Sequence, residues 1–127
     1  MPVALRGCWI EHRGEDTITM RWKPEANGAW HGDELFYRTG FEPLHQAFRL
    51  EPRRAGEDLG PGWAVCPLED GLPHGAPCQR AFFGPGRADG DDTEWMELLA
   101  SPDHMALISI NSDVRMPLFD GARDGCD

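Results

Sequence analysis

The chain has 127 residues, room for one domain around one core. Its 40% hydrophobic and 27% charged residues are the proportions of a folded globular protein, which excludes wholesale disorder. Twenty-two acidic residues against twelve basic ones leave a net charge of −10, which argues against nucleic acid and against an anionic membrane surface as partners.

In chain order, the sequence reads as short apolar alternations cut by Gly, Pro and Asp, the rhythm of successive strands and turns. A first strand is expected over Leu5 to Arg13, ended by Gly14-Glu15-Asp16. Thr17 to Lys23 alternates strictly, with Ile18, Met20 and Trp22 on one face and Thr17, Thr19, Arg21 and Lys23 on the other. Pro24 and the turn Glu25-Ala26-Asn27-Gly28 lead into a strand over Ala29 to Thr39. Leu44 to Glu51 follows, closed by Pro52, and then the short apolar run Trp63 to Leu68. Gln79 to Phe83 is placed to pair back across the Gly/Pro-rich loop Glu69 to Pro77. Gly84 to Asp92 reads as a surface turn, and Thr93 to Ala100 fits a helical turn and a strand equally well. His104 to Asn111 and Val114 to Phe119 complete the set, so the domain is expected to span 1–119, with 120–127 a flexible acidic tail.

Eight to nine short strands with at most one short helix give an all-β fold, and apolar residues on both faces of several strands favour a small antiparallel barrel. The start of the first strand, Gly7-Cys8-Trp9, has the Gly-x-Trp form and resembles lipocalins and other calycin barrels. In those folds the glycine permits a sharp bend and the tryptophan packs across the closed end. A late-strand arginine lies over the indole, a cation–π contact worth about 0.5–2 kcal/mol. The resemblance implies Arg115 for that role. Over roughly residues 5–118 the chain also resembles an uncharacterised bacterial family of lipocalin-like domains, through Gly7-Cys8-Trp9, Met20-Arg21-Trp22 and Asn27-Gly28-Ala29-Trp30-His31-Gly32. The later blocks Trp63 to Pro67, Pro77 to Phe82 and Leu99 to His104 are similar to that family as well.

With no targeting run in residues 1–6 and no stretch near the ~20 apolar residues of a membrane span, a cytoplasmic location is the default expectation. Cys8, Cys66, Cys78 and Cys126 are then expected as reduced thiols, too widely spaced for a paired zinc motif. No metal ligand set emerges: Asp89, Asp91, Asp92 and Glu94 read as a solvated loop. Catalytic motifs are missing too, and a Cys66, His74 and Asp70 assembly is one that any chain of this composition permits.

The leading expectation is a non-catalytic carrier or sensor for a small apolar molecule. Arg21, Trp22, Trp30, Tyr37 and His104 are its expected lining, and Gly7, Trp9 and Arg115 its closure. The main alternative is a filled barrel acting as a structural or interaction domain, with a homodimer through an exposed strand or the barrel wall as one form of it. A third reading follows the likeness to nitrobindin-type barrels and makes His104 a haem ligand; otherwise no cofactor is expected.

Overall fold

The computed structural model describes residues 2–53, 62–69, 72–73, 78–83, 94–112 and 114–125. A 3-10 turn, Pro2–Leu5, precedes strands β1 (Gly7–Arg13), β2 (Asp16–Pro24), β3 (Trp30–Arg38) and β4 (Leu44–Arg53). After these come β5 (Gly62–Glu69), the two-residue β6 (Leu72–Pro73), β7 (Gln79–Phe83), β8 (Glu94–Ala100), β9 (His104–Asn111) and β10 (Val114–Asp124). The hydrogen-bonded order β4-β3-β2-β1-β10-β9-β8-β7-β5 is joined at its ends by a β4–β5 pairing, so nine strands close into a barrel with β6 appended to β5. Closure leaves no long free edge in the wall.

The fold is all-β, as the alternation predicts, with one departure from a purely antiparallel wall. β7 and β8 run parallel, Ala81 opposite Met96 and Phe83 opposite Leu98. The ambiguous segment at Glu94–Ala100 is a strand because it pairs on both sides, to β7 and over its whole length to β9. Pro52 does not end β4: it sits opposite Trp63, and the strand runs on to Arg53. The loop at 84–92 and the cysteine at 126 lie outside the described residues.

The expected tail at 120–127 is corrected over its first half. β10 continues to Asp124, with Gly121 and Ala122 opposite Met105 and His104 on β9 and Ala122 to Asp124 paired with β1. Gly121 makes this possible, since a Cβ there would stand 2.4 Å from the Ile10 carbonyl oxygen. A side chain would push the two strands apart.

Alternation sorts each strand into a lumen face and an outer face. Ile18, Met20 and Trp22 of β2 face the lumen and meet Trp9, Trp30, Leu50, Val65, Leu98, Met105, Leu107 and Phe119 in one core. The outer face is not solvated everywhere. Ala64, Glu97, Ala106 and Ile110 are also buried on the β5 to β9 side, where the Glu97 carboxylate accepts a 2.7 Å hydrogen bond from Arg115 Nη2.

Cys66 stands opposite Cys78, one step beyond the Val65–Gln79 pair, with Cα atoms 4.2 Å apart, and the two form a disulfide. Cys8 is disulfide-bonded as well. The expectation of reduced thiols is therefore overturned. The pairing of β5 with β7 brings together cysteines whose separation in sequence carries no metal or redox motif.

Candidate functional site

The barrel has a closed end and a mouth. At the closed end Trp9 is fully buried and its Nε1 donates a 2.9 Å hydrogen bond to the Leu5 carbonyl, which ties the entry turn across the base. The cation over the indole is Arg123, with its guanidinium carbon 4.0 Å from the ring centroid. Arg115 is committed to Glu97 on the outer wall, so the closure role expected of it belongs to Arg123. Arg123 also donates to the carbonyls of Ala4, Arg6 and Pro102, stitching the first turn and the β8–β9 loop to the last strand. Gly7, at φ +117°, is required twice over: by its backbone conformation, and because a Cβ would lie 2.7 Å from the Arg123 guanidinium.

Above this plug the core is filled. Trp9, Leu50, Met105, Leu107 and Phe119 have no exposed surface, so no water-sized void touches them. Elsewhere the lumen face is looser: Phe36, Phe48, Trp63, Phe83 and Met96 pack against the core but are only partly buried. Trp63 and Phe83 meet edge-to-face at 5.4 Å.

The mouth carries charge on the lumen face. The β1–β2 and β2–β3 registers put Glu11 opposite Ile18, Arg13 opposite Asp16, Glu34 opposite Met20 and Arg38 opposite Asp16. Arg13 grips Glu11 through two hydrogen bonds of 2.9 and 3.0 Å, and Glu11 also accepts from the Asp120 backbone N–H. Arg38 grips Asp16 at 2.6 and 3.0 Å, and that bond to the guanidinium holds the Asp16 carboxyl below the usual range. Both arginines are thus matched to a carboxylate. Glu34 is left with no hydrogen bond among the described residues, and burial pushes its carboxyl up, with Arg13 lowering it and Glu11 raising it further.

Two further polar atoms in the lumen lack partners. Trp22 Nε1 and Gln79 Oε1 are buried with no hydrogen bond among the described residues, and both residues lie on lumen-facing positions of their strands. The Trp22 indole lies flat over Gly32, where a Cβ would come within 2.8 Å of the ring. Gly32 is the lumen-facing neighbour of Glu34, and Phe48 is its partner across β4. A third such atom, Trp95 Nε1, is on the outer face of β8.

Of the expected lining, Trp22 and Trp30 are buried in the lumen. Arg21, Tyr37 and His104 are not: each sits one step out of phase with the lumen-facing residues of its strand. His104 Nε2 instead meets the Asp120 carboxylate on the outer surface. His12, His31 and His45 also point outward, and the latter two share Asp33 Oδ1 at 3.1 and 2.9 Å. Burial raises the Asp33 carboxyl, but the bonds from His45 and His31 outweigh it and leave the group below its ordinary value. No histidine among the described residues faces the lumen, and His104, the expected haem ligand, lies on the outer surface. No group of His, Cys, Asp and Glu suited to a metal ion occurs among them either.

Two depressions occur among the described residues. One, of about 380 Å³, lies at the β3–β4 end of the mouth between Phe36, Arg38, Phe41, Glu42 and Leu44. The other, of about 720 Å³, follows the seam where β1 and β10 part beyond the Ile10–Ala122 pair, beside a bulge between Pro117 and Phe119. No helix among the described residues is long and apolar enough to cross a membrane. Comparison of the chain with protein-family models, with curated proteins and with solved structures found no match.

Proposed function

We propose that the barrel is a non-catalytic carrier or sensor that holds a small, largely apolar molecule in its lumen. The observation that carries this reading is the pair of buried, unpartnered atoms Trp22 Nε1 and Gln79 Oε1. A buried polar atom without a partner costs about 1–3 kcal/mol, and a ligand carrying one acceptor and one donor would relieve both. The walls beside them, Phe36, Phe48, Trp63 and Phe83, supply the apolar surface that such sites use. The Gly-x-Trp start and the arginine over the indole support a lipocalin-like barrel.

Titration with apolar compounds, read by tryptophan fluorescence, tests this. Saturable binding is expected, and Ala81→Phe, which fills the lumen beside Trp63, is expected to abolish it. Saturable binding that survives this substitution would move the site elsewhere. The filled-barrel alternative draws on the packed core; it predicts a silent titration and a surface, rather than a lumen, as the working part.

The disulfide-bonded cysteines weigh toward an oxidising compartment and away from the cytoplasmic expectation, since such bonds rarely persist among cytosolic thiols.

A further inference from the structure

Resting on the lumen-site reading, we infer that the molecule bound there is an organic cation, a protonated amine or quaternary ammonium on an apolar body, whose charge sits at Glu34. The charge balance of the mouth leads to this. Among the described residues, Arg13 and Arg38 are the cations at lumen-facing positions of the mouth, and each is held bidentately by a carboxylate of its own, Glu11 and Asp16. Glu34 is the carboxylate left over, half-buried, lumen-facing and without a hydrogen bond among the described residues. A carboxylate withdrawn from water in this way is stabilised by an incoming cation and repels an anionic one; burial raises it most, and of the charges nearby Arg13 favours the ionised form more than Glu11 opposes it.

The surroundings favour the same class. The Trp22 indole covers Gly32, the next lumen position below Glu34, and Phe36 is the next above. Phe48 lies across from Gly32. Aromatic faces beside a carboxylate are the recognition elements for ammonium groups, the rings by cation–π attraction and the carboxylate by charge. The unpartnered indole N–H of Trp22, a residue 1% exposed, is a donor that the ammonium group cannot satisfy, so the apolar body of the ligand would carry an acceptor to meet it. The net charge of −10 adds a long-range field that draws cations to the protein.

Decyltrimethylammonium, decanol and decanoate, each below its micelle concentration, separate the possibilities by calorimetry and tryptophan fluorescence on the full chain. The cation is expected to bind at least about tenfold tighter than decanoate, with decanol between. Glu34→Gln is expected to weaken the cation about tenfold and leave decanol unchanged. Glu15→Gln removes the same charge from the exposed β1–β2 turn, outside both depressions, and is expected to change neither. Lowering the pH toward the Glu34 titration is expected to weaken only the cation. Equal or tighter binding of decanoate, or a cation preference that survives Glu34→Gln, would overturn the assignment while leaving the lumen site standing. If none of the three probes binds the folded protein, the lumen-site reading falls and this inference falls with it.

Discussion

The two ends of the barrel are built on opposite terms. At the closed end the polar groups are paired: the Trp9 indole N–H meets a carbonyl, the Arg123 guanidinium meets three, and the side chains above them are sealed from solvent. At the mouth Phe36 is half-open and a carboxylate has no hydrogen bond among the described residues, and deeper in the lumen an indole donor and an amide acceptor are unpaired among them. The closed end is where burial and hydrogen bonding stabilise the fold. The mouth gives up part of that stabilisation, and an unsatisfied group in a native protein calls for a water, an ion or a functional role to account for it. Substitutions at the two ends should therefore move different observables.

The largest effect is expected from Trp9→Ala. Deleting a fully buried tryptophan removes its transfer free energy and leaves a cavity, a loss of about 3–5 kcal/mol. It also frees the Leu5 carbonyl and the Arg123 side chain at once. Chemical denaturation checks the size. Phe48→Ala, on the half-buried wall, is expected to cost clearly less and to change probe binding instead. A similar loss from both would erase the distinction between the ends.

Arg123→Ala comes next, at about 2 kcal/mol, from the cation–π contact together with the hydrogen bonds to the Ala4, Arg6 and Pro102 carbonyls. Its near-ultraviolet circular dichroism should change, because the indole of Trp9 loses the charge over its face. Arg115→Ala disturbs the outer wall at Glu97 and should leave the Trp9 signal alone. The reverse pattern would return the closure role to Arg115.

That contrast also shows what the sequence makes legible. Strict alternation at Thr17–Lys23 places Ile18, Met20 and Trp22 in the core without further information, and all three are buried. Gly7 and Trp9 can be read from their local motif. Arg123 cannot, because Asp-Gly-Ala-Arg-Asp looks like a frayed tail until Gly121 is seen to admit the close approach of β1. An arginine inside the expected last strand is then the natural but mistaken choice. The mouth is legible only through pairing. Glu34 lies in a run with Asp33, Leu35, Phe36 and Tyr37 whose local pattern does not declare a lumen face. The turn at Glu25–Gly28 fixes the β2–β3 register, and Trp22 opposite Gly32 then carries Glu34 opposite Met20. Tyr37 and Arg21 fail as lining residues for the same reason: each is one position out of phase. The disulfide depends on a contact between β5 and β7 that no local pattern encodes.

The smallest and most diagnostic effects are in the pH dependence of stability, where two carboxylates of the mouth should behave oppositely. Burial raises Glu34 above its ordinary value, so the native state holds that proton more tightly than the unfolded chain does. Its contribution is most favourable below the unfolded pKa and is lost as pH rises through the native one. Glu34→Gln is accordingly expected to be more stable than the wild type at neutral pH, with the difference closing below about pH 4. Asp16 is lowered by its bond to Arg38, so its contribution is present above the unfolded pKa and is lost as pH falls through the native one. Asp16→Asn should be less stable at neutral pH and converge on the wild type in acid. Thermal melts across that range read both. A Glu34→Gln variant less stable than the wild type at neutral pH would mean that this carboxylate already has a stabilising partner, and the mouth would then be as satisfied as the closed end.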